Sequence, residues 1–495
     1  MKCSFRVDGG GEGVGMGHLM RCLAFAKALS NFGCEVAFIS KEYPSGIEEI
    51  EKAGYRVNTL PIAISLEKDL LYTQEYSSGS VLIVVDSYLL PSTYLENLKK
   101  EEVVIAYVDD LVDRTLPVDI VIGSAYATHA LYGKKIAPNT LLLGGPRYLP
   151  IREIFSQTPN KMISPHIERI LITCGGEDPL NWTQAILEVL HTYKKHSLSL
   201  DIILGPAYHF EETCRETVKN SPHVCHIHRH PNELLQIFQK ADIAIAPPST
   251  TFWELAALGT PTLLIQTAAN QTQNSIYIQE QQLGLLTSIE TLCEDIESLQ
   301  DPQIRKMYSH HMRMTVDGRG AKRIAKVLLR ECFEQSSIHL RPINTDLVGR
   351  DCKHLWEWRN EEEARRMSKN SGVISWEEHC TWFRNAVKNP FTHILIAEYL
   401  DQPVGMLRFE VKNRDIAEVH INVAPEWRGK GLGKKILNMG SIFAFSQLAV
   451  IHLDAVVKEE NTASHALFMK NRFLLQGKEE AYSLYRLSVP FKVLR

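Results

Sequence analysis

Along the first two-thirds of the chain, unbroken runs of Val, Ile and Leu alternate with amphipathic stretches, and few folds accept that alternation. The runs include VAFIS (residues 36–40), VLIVVDS (81–87), VVIAYVDD (103–110), RILITCGG (169–176), LDIILG (200–205), DIAIAPPS (242–249) and PTLLIQT (261–267). A strand that is apolar on both faces must be covered on both faces, which is the situation of a parallel strand between two layers of helices. HLMRCLAFAKALSNFG (18–33) and NELLQIFQKA (232–241) have helical patterns and lie between such runs. Strand then helix, repeated, predicts a doubly wound α/β fold.

The repetition restarts once. Residues 144–166 carry Pro146, Pro150, Pro159 and Pro165 and read as a linker, after which a new strand ends in Gly175-Gly176. This predicts two Rossmann-like halves, residues 1–152 and 153–332, facing each other across a cleft where strand carboxyl ends meet helix N-termini. A second change falls in ECFEQSSIHLRPIN (331–344). Beyond it, residues 391–423 read as consecutive antiparallel strands with turns at DQP and KNRD. A helix opens after RGKGLG, and IHLDAVV (451–457) is a further strand. Residues 337–495 are therefore expected to form a separate α+β domain, and 495 residues suffice for about three domains of ordinary size.

Bulk properties narrow the function classes. A net charge of −4 leaves no cationic surplus to neutralise phosphates, so no nucleic-acid partner is expected. No apolar run approaches the ~18–20 residues that span a bilayer. The start, MKCSFRVDGG, lacks the apolar core of a signal peptide, so a cytoplasmic protein without a membrane partner is expected. Ten cysteines form no C-x-x-C pair, and Cys174 and Cys225, in strand-like runs, are expected to be buried free thiols.

The loop FRVDGGGEGVGMGHLMRC is neither a P-loop nor the Gly-x-Gly-x-x-Gly dinucleotide fingerprint. Gly13, Gly15 and Gly17 are expected to let the backbone approach a ligand and adopt left-handed angles. The following helix offers free N–H groups and the positive end of its dipole. His18, in its first turn, would be kept neutral there and could take a proton; Arg21, one turn on, could hold an anion. A tight turn with His18 as a helix cap explains these residues equally well. Further along, Ser249 and Thr250 are expected to cap a helix and, with its amides, to hold a diphosphate. Glu254, one turn into that helix, could accept both ribose hydroxyls. AANQ (268–271) follows the next strand, again at a carboxyl end.

Taken together these residues resemble a family. Arg6-x-Asp8, Gly15-x-Gly17-His18-x-x-Arg21-Cys22, Asp86-x-Tyr88 and Asp109-Asp110 are similar to the UDP-sugar hydrolases of pseudaminic acid synthesis, GT-B-fold relatives of the MurG glycosyltransferases. Gly145-Pro146-x-Tyr148 with Arg152, Gly175-Gly176-x-Asp178-Pro179, Ser249-Thr250, Glu254, Gly259-x-Pro261 and Asn270-Gln271 extend the match. The resemblance implies hydrolysis of UDP-2,4-diacetamido-2,4,6-trideoxy-β-L-altropyranose, with His18 as general base towards water and the second half holding UDP. It implies substrate contacts from Arg6, Asp8, Gly15, Gly17, Arg21, Asp86, Tyr88, Ser249, Thr250, Glu254, Asn270 and Gln271. One departure is Pro247-Pro248, where the family has Gly-Gly and where proline removes two amides.

HVCHIHRH (223–230) offers His226, His228 and His230 on one face of a strand, but the sheet needs a strand there and no second ligand cluster stands nearby. No metal is expected.

The second motif is VHINVAPEWRGKGLGKKIL (419–437): a strand, a Pro425 turn, then Arg428-x-x-Gly431-x-Gly433 opening a helix. Small residues there let the amides of Arg428 to Lys434 close around a pyrophosphate, with Lys430 and Lys434 adding charge. These residues resemble motif A of the GNAT acetyltransferases, and NTASHALFMKNRF (461–473) resembles their later motif. The segments 356–370 and 374–383 are similar to the GNAT enzyme of the same sugar pathway, which acetylates the 4-amino group of the UDP-amino sugar. The resemblance implies acetyl-CoA as co-substrate, bound by Ile421, Val423, Arg428, Gly429, Lys430, Gly431, Leu432, Gly433, Lys434 and Asn461. Splayed strands near Val423 would present a backbone N–H to the thioester carbonyl. Glu418 or His420, on one strand face, would accept the amine proton. Phe468 stands where many GNAT enzymes have a tyrosine acid, leaving Tyr482 or Tyr485 to substitute.

Overall fold

The computed structural model describes all residues except 12–13, 100–102, 158–160, 230–232, 335–337, 347–348, 400–401 and 490–495. Gly13, Pro159, His230, Asn232, Asp401 and residue 337 therefore lie outside the described residues. The chain divides into two compact units. One comprises Lys2–Ala28 and Val36–Leu328; the other is built from Leu329 onward, together with Met1 and Leu29–Glu35.

The first unit holds two sheets. β1 (Lys2–Val7), β2 (Glu35–Lys41), β3 (Arg56–Leu60), β4 (Leu82–Asp86), β5 (Val104–Asp109), β6 (Ile120–Gly123) and β7 (Leu141–Leu143) form one, in the order β3-β2-β1-β4-β5-β6-β7. β8 (Arg169–Thr173), β9 (Ser199–Leu204), β10 (Val224–Arg229), β11 (Ile243–Ala246), β12 (Thr262–Leu264) and β13 (Leu285–Leu286) form the other, in the order β10-β9-β8-β11-β12-β13. The described registers in both are parallel. Central strands are buried along nearly their whole length, as the apolar runs require. Each sheet reverses its winding once, between β1 and β4 and between β8 and β11, and the loops at such a reversal open a crevice at the strand carboxyl ends. The pair is GT-B-like.

Three helices matter for the sites here: α1 (Gly17–Asn31) after β1, α2 (Trp182–Thr192) after β8, and α3 (Thr250–Leu258) after β11. Asp178 starts α2 by accepting from the amides of Trp182 and Thr183, each at 2.8 Å. The Phe5 ring meets Phe25 tilted at 5.2 Å and stacks on Phe38 at 5.0 Å, pinning α1 and β2 to β1. Each such ring contributes roughly 2–3 kcal/mol by leaving water.

The second unit is one mixed sheet with helices. β14 (Ile338–Pro342), β15 (Thr392–Tyr399), β16 (Gln402–Val411), β17 (Ile416–Val423), β18 (His452–Lys458), β19 (Leu474–Glu479) and β20 (Tyr482–Ser488) run in the order β14-β15-β16-β17-β18-β20-β19. β17 and β18 are parallel and pair only through Ile416–His452, Ala417–Leu453 and Glu418–Asp454. Past Glu418 they part, while β17 stays registered on β16 as far as Val423. α4 (Leu432–Phe443) starts beyond the end of β17, and α5 (Thr462–Lys470) follows β18.

Candidate functional site

In the first unit, the loops after β1, β4, β8, β11 and β12 line one cavity of about 810 Å³ between the two sheets. The halves meet closely: a Cβ on Gly176 would lie 2.5 Å from that of Met16, so only glycine fits where those loops touch. Gly15 and Gly17 also line the cavity. Neither has a left-handed φ, contrary to expectation, and a Cβ on Gly15 would have nothing within 4 Å. They leave room rather than making a turn.

His18 sits in the first turn of α1, and its Nδ1 lies 2.5 Å from Asp86 Oδ1 at the end of β4. Asp86 is 1% exposed and also accepts from Arg21 Nε at 2.6 Å, Arg21 Nη2 at 2.7 Å and the Cys22 thiol at 3.4 Å. Arg21 donates on to Asp110 Oδ2 at 2.5 Å, and the Tyr88 hydroxyl donates to the same oxygen at 2.7 Å. The Tyr88 ring meets His18 edge-on at 4.4 Å. Although burial alone would raise it, the charges of Arg21 and His18 hold the Asp86 carboxyl well below the usual carboxylate range. With Nδ1 carrying its proton towards Asp86, Nε2 is the basic nitrogen of His18.

The structure shows how the expected substrate contacts are held, and of them Arg6 is absent from the cavity wall. Arg21 and Asp86 are paired with one another and with His18 and Asp110, and both stand in the cavity wall. Arg6 is fully buried, donating to Asp8 at 2.6 Å and to Asp69 at 3.0 and 2.7 Å, and does not line the cavity. It acts through Asp8, which lines the cavity and also accepts from the Lys41 amide at 2.8 Å. Ser249 makes no side-chain cap on α3, and its amide donates to the Pro247 carbonyl at 2.8 Å. The free amides at this end are those of Thr250 onward. Gln271 turns its Oε1 back to the amides of Thr267 and Ala268, at 2.9 and 3.3 Å, and both it and Asn270 line the cavity. Glu254 is 4% exposed, and Arg152 Nε and Nη2 hold its two oxygens at 2.6 Å each. That pairing is not visible in local sequence, since the residues are 102 apart.

In the histidine-rich strand, His228 Nε2 lies 2.8 Å from Asp201 on the neighbouring β9. All ten cysteines are free; Cys174 is buried and Cys225 half-buried.

In the second unit, β17 leads through a 3₁₀ turn, Pro425–Trp427, into Arg428-Gly429-Lys430-Gly431 and α4. Gly429 and Gly431 have φ of +75° and +79°, and Gly431 is the N-cap of α4, so the chain turns there in a conformation that other residues resist. The amides of Leu432, Gly433 and Lys434 open the helix and have no partner within it. The Arg428 side chain fastens the loop instead, donating to the Val423 carbonyl at 3.1 Å and to Glu361 and Glu363 at 2.9 and 3.0 Å. Lys430 sits 4.5 Å above the Trp427 ring. Asn461 caps α5, its Oδ1 accepting from the Ser464 amide at 3.0 Å. Ile421 and Val423 lie on the part of β17 that has left β18.

Glu418 and His420 share a face of β17, with Glu418 Oε1 3.3 Å from His420 Nε2. Across the pair lie Arg408 and Glu410 of β16 and Lys412 just past its end. Lys412 bridges Glu410 at 2.9 Å and Glu418 at 3.2 Å, and Arg408 lies 3.1 Å from Glu410. Alternation along both strands could have revealed this cluster, because Arg408, Glu410 and Lys412 are spaced by two. Glu410, Glu418 and His420 also have ligand atoms within 4.8 Å of one another, the one such trio among the described residues, although two cations share it. Burial, reinforced by Arg408, pushes His420 down to about 4. Near α5, the Tyr485 hydroxyl lies 2.7 Å from His465 Nδ1, and its ring stacks on Phe468 at 6.3 Å. The Tyr482 ring lies under Lys369 at 5.8 Å.

Residues 353–473 match the family model described as Acetyltransferase (GNAT) family. The second unit carries a GNAT domain. Over 137 residues, 28% of this chain and 85% of the other, it is 23% identical to the acetyltransferase PseH of Campylobacter jejuni. The chain is also 23% identical over 459 residues to the uncharacterized protein MJ1062 of Methanocaldococcus jannaschii, covering 89% of this chain and 90% of that one. A Helicobacter pylori protein named pseudaminic acid cytidylyltransferase and UDP-2,4-diacetamido-2,4,6-trideoxy-beta-L-altropyranose hydrolase is 27% identical over 143 residues, 28% of this chain and 25% of that protein. Among the described residues, no helix is long and apolar enough to cross a membrane.

Proposed function

We propose that the chain is a bifunctional enzyme of pseudaminic acid synthesis in the cytoplasm. The GNAT domain acetylates the 4-amino group of a UDP-amino sugar with acetyl-CoA. The first unit then hydrolyses the resulting UDP-2,4-diacetamido-2,4,6-trideoxy-β-L-altropyranose to UDP and free sugar. The observation that carries the hydrolase reading is the His18–Asp86 pair at the wall of a cavity that both Rossmann-like halves line.

In this reading a water oxygen attacks the anomeric carbon as the bond from that carbon to the diphosphate oxygen breaks. His18 Nε2 takes the water proton, and Asp86 stabilises the imidazolium that forms. The leaving UDP carries its charge to the N-terminal amides of α3, where the helix dipole favours an anion. In the GNAT domain, the parting of β17 from β18 supports a thioester seated along Val423. The amides from Leu432 to Lys434 support the pyrophosphate. Glu418, with His420 beside it, supplies the acceptor for the amine proton, and Tyr485 with His465 replaces the tyrosine absent at Phe468 as donor to the thiolate.

Incubation of the protein with acetyl-CoA and the UDP-4-amino sugar tests both steps. NMR should show CoA appearing first, then UDP and free diacetamido sugar together in equal amounts. A glycoside in place of free sugar would reassign the first unit to transfer. His18→Ala should lower UDP release by at least about a hundredfold, and full release by that variant would remove His18 from the mechanism.

A further inference from the structure

Glu254 can serve a nucleotide only if Arg152 lets go of it. The two side chains form a bidentate pair at 2.6 Å on each oxygen, and Glu254 is 4% exposed, so the edge that Arg152 covers is the edge open to a ligand. Resting on the nucleotide reading above, we propose that Arg152 is an exchange residue. It occupies the ribose position on Glu254 in the unliganded protein and moves to the diphosphate when a nucleotide enters.

Three features support the exchange. The backbone at Arg152 is anchored, so the exchange would need only its side chain to turn. Leu149 and Ile151, just before it, are buried in one apolar cluster with Trp253 and Ala256 of α3, so the backbone next to Arg152 stays beside Glu254. The Arg152 guanidinium lies 5.1 Å above the Phe155 ring, a face it can slide across without losing cover. Distance also fits: Glu254 is four residues into α3, about 6 Å along the axis from its first turn, within the sweep of an arginine side chain. Charge balance favours the move as well. A buried carboxylate cannot be left alone, but two ribose hydroxyls satisfy it as donors without adding charge. The freed guanidinium is then available to a diphosphate, which a fixed Arg–Glu pair could not neutralise. Arg152 is therefore a competitor for the nucleoside and a ligand for the phosphates.

The competition predicts opposite effects on two probes. In the unliganded protein, the fraction of Glu254 free to bind is reduced by Arg152, and apparent affinity falls by that fraction. Titration calorimetry of the full-length chain with uridine and with UDP reads both terms. In Arg152→Met, uridine should bind about tenfold tighter and UDP about tenfold weaker than in wild type. The UDP-over-uridine preference thus shrinks by about a hundredfold. Arg152→Gln, which keeps a hydrogen bond to Glu254 and guards against misfolding of the first variant, should lose UDP affinity with uridine affinity held. If both variants weaken uridine and UDP by the same factor, or alter neither, the pair is a fixed structural bridge and the exchange is overturned. If wild type binds UDP in neither titration nor competition, the nucleotide reading falls and the exchange with it.

Discussion

Asp86 concentrates the chemistry of the first site in one side chain. It orients His18 and balances Arg21, and it stands in the cavity wall. Asp86→Asn keeps the shape but cannot stabilise an imidazolium. It should lower kcat for UDP release by about 10²–10⁴ with KM little changed. A fall in kcat/KM that came wholly from KM would mean that Asp86 binds substrate after all. Arg21 retains Asp110 in that variant, so the rate is best read below a lowered melting temperature. His420 makes a second residue-scale prediction. Its imidazole is held down at about 4 by burial and Arg408, against about 6.5 in an unfolded chain, with Glu410, Glu418 and Lys412 also facing it. Between those values the unfolded chain takes up a proton that the folded site refuses. Stability from this group is therefore complete above about pH 6.5 and is lost as pH falls towards 4. His420→Gln should flatten the melting temperature of the GNAT domain across that window; an unchanged slope would refute the assignment.

At the scale of elements, the two loop-to-helix junctions proposed to bind the nucleotides are built differently. Before α1, Gly15 and Gly17 leave cavity space without unusual backbone angles, and only Gly10, earlier in the described part of the loop, has a left-handed φ of +78°. Before α4, Gly431 is required by its φ of +79°. Gly431→Ala should cost about 1–2 kcal/mol locally and turn the first amides of α4 away from the pyrophosphate. The expected result is roughly a tenfold rise in KM for acetyl-CoA with little change in the melting temperature of the first unit. A variant with wild-type KM would show that these amides do not hold the cofactor. The strand runs explain which elements sequence reveals. Buried central strands such as β4, β5 and β8 are continuous apolar runs and were legible. β3 (RVNTL) and the short edge strands β7 and β13 were not, because an edge strand is partly solvated and needs neither an apolar run nor strict alternation.

For the whole molecule, each unit has its own buried core and its own site. Knockouts should then act independently. With each activity assayed on its own substrate, His18→Ala should lose UDP release from the UDP-diacetamido sugar and keep CoA release from acetyl-CoA and the UDP-4-amino sugar, and Gly431→Glu should do the reverse, with the double variant losing both. Loss of both activities in either single variant would contradict separate sites. Sequence by itself determined the alternation of strand and helix, the restart after residue 144, the change of architecture near residue 331 and the two loops that carry chemistry. These are properties of local period and of glycine spacing, written within a few residues. Tertiary structure alone decided who holds whom. Arg6 reaches Asp69 across 63 residues, His18 reaches Asp86 across 68, and Arg152 reaches Glu254 across 102. An ionic partner is selected by distance and burial in the folded chain, because a buried charge must find a counter-charge wherever the fold brings one, and neither quantity has a period in sequence.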